Sequence, residues 1–457
     1  MFSFSLSKNG FLQKINSALS SFYLVPTVFA FALLCYIFNL EYFCVITLAS
    51  LVCLILLFCK DIKNIFAIII YACFYIGDIA LSPNWLYYGI AIFIAVISFS
   101  TFTIYNLIKG IKTHSLKKGK LYPALMVCSV AFCLAGAIGN FQFIPFVITA
   151  GFCIVAIIFY FLALNFTKDL SKFLLKTMIV GAVFVAILMF TQNLILYLDK
   201  DELFPTFVSV LNNCAVWVGA QNRNVASLFM MIGLVSCFFL ARNSNWACLL
   251  FLTATMLLYT VLVTVCRFNI LLSIIIYIVL TVEMFISYKN KQLLLFTLLS
   301  ILLVAEFLFI LDKTLFMDII ERILNKSFGE NGVIDFSGRT ELWKYCYDKF
   351  LSYPILGYGF IGKEKIPFLR EEFGQFVLAH NTLVQWLCSL GIVGCVLMCF
   401  FYFKKYSLVF SGFKNSLGVS LVVIMIGISG LFDQAPAMDI FVYLLTILCL
   451  SAIELDK

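Results

Sequence analysis

Charge is what this chain has least of. Asp, Glu, Lys and Arg make up 12% of its 457 residues, and there are only two histidines and eight prolines. A domain solvated on every side carries about 25% charged residues, so a single soluble globule is excluded. Histidine, cysteine and carboxylate positions show no metal-ligand spacing, so neither a metal nor a cofactor is expected. The formal net charge of +8 is not gathered in a basic soluble domain, which argues against nucleic acid as a partner. The 17 cysteines lie mostly within apolar runs and read as small buried residues rather than a disulfide framework. The one long polar segment holds a single cysteine, Cys346.

Hydrophobic residues are present instead, at 63% of the chain with a mean hydropathy of +1.08. Apolar runs of about 17–23 residues recur from residue 22 to residue 453, each long enough to cross a bilayer core. The expected fold is therefore all-α: a polytopic integral membrane protein with about 12–14 transmembrane helices. The runs lie near 22–40, 42–59, 64–80, 86–108, 121–138, 143–165, 175–197, 225–241, 246–265, 269–287, 292–311, 380–402, 417–432 and 438–453. Residues 1–21 form an amphipathic lead-in without a removable signal. Residues 22–311 form a bundle of about eleven spans, 312–379 a long loop, and 380–457 the C-terminal spans.

With the N-terminus inside, 19 of the 31 Lys and Arg fall in short segments on one side, among them 109–120, 168–176 and 404–414. The opposite short loops hold only Lys200, Arg223 and Arg267, and the long loop holds nine. This asymmetry orients the chain with both termini cytoplasmic and 312–379 outside.

Within that loop "GRTELWKYCYDKFLSY" (338–353) carries Trp343, Tyr347, Phe350 and Leu351 at helical spacing, and Pro354 forbids continuation. An amphipathic helix is expected there. The following "GYGFIG" matches GxGxxG but follows a helix and a proline rather than a strand, so no dinucleotide site is assigned. Arg339 lies in the helix's first turn, with Ser337 as its cap, where a cation opposes the helix dipole. It is either the partner of a bound anion or a solvated residue paired with Asp335 or Glu341.

Arg267 joins two apolar spans without an acidic neighbour, as a functional cation or a snorkelling one. Arg223 opens a span between Asn222 and Asn224, which offer neutral groups for sugar or phosphate oxygens, or simply cap the helix. His380 opens the span 380–402, where the helix dipole favours the neutral imidazole. It is a base for a hydroxyl or a helix cap. Among the few carboxylates in the spans, Asp78, Glu283, Glu306, Asp433 and Asp439, no pairing suggests a proton relay.

These residues together resemble the signature of the O-antigen ligase/polymerase superfamily: Gly338-Arg339 with Trp343, Pro354 with Gly357 and Gly359, His380-Asn381, and Gly391 with Gly394. The resemblance covers roughly residues 222–400, and the first seven spans match only in hydropathy. The family's usual Ser before the junction arginine is Cys266 here, and a bulky Phe268 follows it.

The resemblance implies metal-independent glycosyl transfer on the outer face of a bacterial cytoplasmic membrane. The donor would be an undecaprenyl-diphosphate-linked glycan, and the acceptor a growing polysaccharide or lipid A-core. His380, Arg339 and Arg267 would be catalytic. Arg223, Asn222, Asn224, Asn381 and Trp343 would bind substrate, and membrane lipids would surround the spans. Ligase and polymerase both remain open. A flippase for the lipid-linked glycan, binding diphosphate without chemistry, is the alternative from another class, although no internal repeat supports it.

Overall fold

A computed structural model describes residues 10–59, 61–72, 119–138, 143–197, 217–218, 221–242, 244–287, 291–311, 339–359, 379–432 and 440–457, with scattered positions between 74 and 117 and between 317 and 324. Its helices are α1 (Gly10–Ser20), α2 (Leu24–Ile37), α3 (Glu41–Phe58), α4 (Lys63–Ala72), α5 (Tyr122–Ile138), α6 (Phe143–Phe166), α7 (Leu170–Tyr197), α8 (Arg223–Ala241), α9 (Ala247–Val263), α10 (Arg267–Ser287), α11 (Lys291–Leu311), α12 (Arg339–Ser352), α13 (Thr382–Gly412), α14 (Leu417–Phe432) and α15 (Ile440–Leu455). A two-residue hairpin, β1 (Trp217–Val218) with β2 (Gln221–Asn222), precedes α8. The fold is an all-α polytopic membrane protein.

Most expected spans coincide with a helix to within a few residues, because an apolar run in a bilayer must satisfy its backbone internally and a helix does so. Among the described residues α7, α8, α10 and α13 are long and apolar enough to cross a membrane, and α1 with α2, bent by 74°, would make a fifth span. Further apolar helices are shorter. The expected span 86–108 falls largely outside the described residues, as do Ser337, Gly338 and most of the 312–379 loop.

The chain forms two compact units. One comprises residues 1–116 and 166–327. Its centre is α8, buried along nearly its whole length, as expected of a helix that is apolar all round. Phe229 on this helix packs edge-on against Tyr71 and Phe74, with ring centroids 5.4 and 5.3 Å away. On α10 and α11, by contrast, Ile275, Ile278, Val279, Leu302 and Leu303 are exposed, a surface suited to lipid rather than water.

The other unit comprises residues 117–165 and 328–457, so α5 and α6 group with the C-terminal helices rather than with their neighbours in sequence. Tyr160 ties its ends together, donating to Glu454 at 2.5 Å and accepting from the Leu121 amide at 2.9 Å. The span expected to end at 402 continues as α13 to Gly412. Lys405, expected in a cytoplasmic segment, is instead buried, with Nζ 4.9 and 5.2 Å from the rings of Tyr402 and Tyr406. Flanking aromatic faces offset part of the cost of burying that ammonium.

Candidate functional site

In the first unit, Asn222, Arg223, Asn224 and Arg267 lie at the N-terminal ends of two neighbouring helices. Asn222 caps α8, its Oδ1 accepting from the Asn224 amide at 2.9 Å. Asn224 then stitches α8 to α10. Its Oδ1 accepts from the Cys266 thiol at 2.8 Å, and its carbonyl accepts from Asn269 Nδ2 at 3.2 Å. Asn269 also donates to Ser227 at 2.6 Å. The Cys266 thiol thus performs the donor role a hydroxyl would perform.

Only residues 264–266 separate α9 from α10, and the reversal puts Val265 at φ 53°. A β-branched residue in the left-handed region costs about 1–3 kcal/mol, which the surrounding bonds must offset. Two residues on, Arg267 opens α10 half-buried, and Arg223 opens α8 half-buried. Two arginines at the positive ends of adjacent helices create a potential that attracts an anion.

In the second unit, α12 is described from Arg339, with the expected cap Ser337 outside the described residues, and ends just before Tyr353-Pro354. Its inward face differs from the expected stripe. Leu342 and Cys346 are buried with Ala379 and Cys388, and Trp343 and Tyr345 pack beside them. Tyr347 and Leu351 point outward, at 56% and 57% exposure. Apolar spacing alone did not identify the seam, because a small thiol and an aliphatic side chain fit closer than the larger rings.

His380 lies between α12 and α13 at φ 50°, half-buried. The backbone on both sides of it is pinned by side chains. Trp343 Nε1 donates to the Ala379 carbonyl at 2.7 Å, and Gln385 Oε1 accepts from the Ala379 amide at 2.8 Å. Asn381 caps α13 by accepting from the Leu383 and Val384 amides at 3.0 and 3.1 Å, and donates to the Leu431 carbonyl at 2.8 Å. Thr382 donates to the Gly430 carbonyl at 2.6 Å. Three helices therefore fix one short strained segment, whose side chain is the imidazole.

The glycine motifs hold the turns of α13 that follow. Gly391, at φ 60°, breaks α13, and Gly357, at φ 79°, sits against it. A Cβ on Gly357 would lie 2.6 Å from Gly391 N, and one on Gly391 would lie 2.4 Å from Gly357 N. Only two residues lacking Cβ permit backbones so close.

The contact satisfies the groups that the break frees. Tyr358 and Gly359 amides donate to the Cys388 and Ser389 carbonyls at 2.7 and 3.2 Å, and the Ile392 and Val393 amides donate to Pro354 and Ile355 at 2.9 and 3.1 Å. Gln385 Nε2 donates to Ser389 Oγ at 2.8 Å, which connects the broken turn to the Ala379 amide.

The structure thus brings Asn222, Arg223, Asn224 and Arg267 together in one unit, and Trp343, His380 and Asn381 together in the other, with Arg339 at the start of Trp343's helix. Glu283 pairs with Arg242 at 3.0 Å, and Glu306 is exposed. His114, Asp78, Asp433 and Asp439 lie outside the described residues. Among the described residues no three His, Cys, Asp or Glu gather to hold a metal ion.

Sequence reading missed Gln385, which is 1% exposed. An amide five residues after a histidine inside an apolar run was the available signal, since a buried polar group needs a partner. Asn269 and the strained Val265 left no comparable trace. The sequence model of the O-antigen ligase family matches residues 206–399. A comparison with curated protein sequences gave no match.

Proposed function

We propose that this chain, a member of the O-antigen ligase/polymerase superfamily through residues 206–399, transfers a glycan from a polyprenyl diphosphate to an acceptor sugar hydroxyl on the outer face of a bacterial cytoplasmic membrane. The observation that carries the reading is the pinned segment 379–382. A left-handed histidine whose preceding residue is held at both its amide and its carbonyl is the arrangement a base needs, since proton transfer requires hydrogen-bond reach. A mere helix cap is already supplied by Asn381.

In this mechanism the neutral imidazole of His380 takes the acceptor proton as the acceptor oxygen attacks the anomeric carbon. The bond from that carbon to the diphosphate oxygen breaks. Negative charge grows on the leaving diphosphate, and the planar, permanently charged guanidinium groups of Arg339 and Arg267 are assigned to it by the family resemblance. Arg223 adds to the positive end of α8. Trp343 and Asn381, given to substrate by the same resemblance, have polar atoms committed to the protein, so their first role in this reading is to hold His380. The acceptor is a sugar hydroxyl of lipid A-core or of a growing polysaccharide.

The test is transfer by purified protein in detergent, where no second compartment exists and a flippase would be silent. His380→Ala should retain donor binding and lose roughly 10²–10⁴-fold in rate, with residual activity climbing as hydroxide replaces the base. A wild-type rate in that variant, or donor binding lost with it, overturns the assignment.

A further inference from the structure

One rim of the first unit gathers lysines for which the transfer reaction has no use. Three stretches of chain meet there: the bend between α1 and α2, the turn from α3 to α4, and the residues leading into α7. The Ile62 amide donates to the Phe166 carbonyl at 3.1 Å, and Phe22 packs edge-on against Phe173 with ring centroids 6.1 Å apart. Lys176 Nζ lies 5.4 Å from the Phe22 ring, and Lys63 Nζ lies 5.7 Å from the Phe173 ring.

The helix α1 is locked into this rim at an angle. A bend of 74° separates it from α2, and a helix that stops so abruptly leaves its last carbonyls without helical partners. Asn64, only 1% exposed, supplies them: its Nδ2 donates to the Leu19 and Ser21 carbonyls at 2.7 and 2.9 Å. So held, α1 rests against α3 and α4 with Ile15 and Leu19 half-buried and Gln13, Lys14 and Ser17 exposed. A helix set nearly square to an apolar helix of a membrane bundle lies close to the membrane plane, at the level of the headgroups. Tyr23 at the bend is 79% exposed, as an aromatic anchor in that layer would be.

Charge on the rim is unbalanced. Lys14, Lys63, Lys168, Lys172 and Lys176 face only Asp61 and Asp169 among the described residues. Lys63 is paired with Asp61 at 2.7 Å and donates to the Lys168 carbonyl at 3.4 Å. The other four lysines are exposed, and none has a carboxylate within ion-pair reach among the described residues. Lys172 and Lys176, four positions apart on α7, share one face of that helix.

We propose that this rim is a docking surface for anionic phospholipid, with Lys172 and Lys176 holding the lipid phosphate and α1 lying in the headgroup layer beside it. Lipid is the occupant because the rim combines unpaired cations with an interfacial helix and an exposed aromatic anchor, the set that an anionic membrane surface complements. The inference needs only the membrane fold and does not depend on the transfer reaction.

The test uses full-length protein in phosphatidylcholine vesicles that carry a trace of phosphatidylglycerol with a photoactivatable group in its headgroup, and a parallel sample with the same group on phosphatidylcholine. Labelled peptides are mapped by mass. The glycerol lipid should label 10–24 and 166–176 in preference to the choline lipid. Unlabelled phosphatidylglycerol should displace it, and inorganic phosphate should not. Changing Lys172→Gln and Lys176→Gln together should lower labelling by at least about tenfold, since each lysine near a charged surface contributes roughly fivefold. Lys172→Arg with Lys176→Arg should keep it. Equal labelling by the two lipids, or an unchanged level in the Gln variant, overturns the proposal. Displacement by phosphate makes the rim a free-anion site, and a rim labelled by neither lipid is left to a protein partner; each of these results overturns it too. So does an Arg variant that loses as much as the Gln variant, because charge would then not be what holds the lipid.

Discussion

The segment around Arg267 and the segment around His380 solve the same problem with different effort. Each puts a residue other than glycine in the left-handed region, Val265 in one and His380 in the other, next to the start of a long apolar helix. Around Arg267 the stitching comes from two neighbouring helices and centres on one residue, Asn224. Around His380 it comes from α12, α13 and α14, and reaches both the amide and the carbonyl of Ala379.

The chemistry assigned to each explains the difference. A permanent charge displaced by an ångström keeps most of its long-range pull on an anion, which falls only as the inverse of distance, and loses chiefly its bidentate fork. A base has to lie within hydrogen-bond reach of one proton, and the same error removes it from the reaction.

That comparison breaks if the two segments respond alike to substitution. The largest effect should come from His380→Ala, roughly 10²–10⁴-fold in turnover with donor binding retained. Arg339→Lys should follow at about 10²-fold, with weakened donor binding as well, because an ammonium keeps the charge but loses the bidentate fork. Initial rates together with donor binding in purified protein would separate the two.

Gln385→Leu should lower turnover about tenfold while leaving the donor KM unchanged. It orphans the Ala379 amide, at a cost of about 1–3 kcal/mol that the backbone relieves by moving His380. Loss of donor affinity instead would make Gln385 part of the binding surface.

Asn224→Ala should act in the opposite sense, raising donor KM a few-fold through loss of about 1 kcal/mol of stitching, with turnover little changed. Smallest of all should be Cys266→Ser, within about 0.5 kcal/mol of wild type in thermal unfolding, because a hydroxyl also donates to Asn224 Oδ1. A severe loss there would show that the thiol does something a hydroxyl cannot.

Legibility in the sequence followed the length of the physical signal. Span positions were readable because an apolar stretch near membrane thickness has few alternatives to helix, and α12 was readable because Pro354 marks its end. The glycines 357, 359 and 391 and the pair His380-Asn381 stood out as a motif, but not as a contact.

Sequence pattern could not reveal the break in α13, since hydropathy is continuous across Gly391 and the cause lies some 34 positions earlier at Gly357. The same holds for the grouping of α5 and α6 with the C-terminal helices, which depends on which apolar faces match rather than on how apolar they are. The burial of Lys405 was not legible because a lysine near a span end reads as a boundary, and its cover by Tyr402 and Tyr406 shows only in the fold.

The break at Gly391 also dictates an order of assembly. Carbonyls 388 and 389 and amides 392 and 393 have their partners in 354–359, a stretch synthesised earlier in the same chain. A bilayer offers no water to those groups, so this part of α13 cannot settle until that stretch has arrived and remained in place. Insertion of the helix and docking of the turn are then one cooperative event. The amide protons of Tyr358, Gly359, Ile392 and Val393 should exchange with solvent as a single set, opening together or not at all.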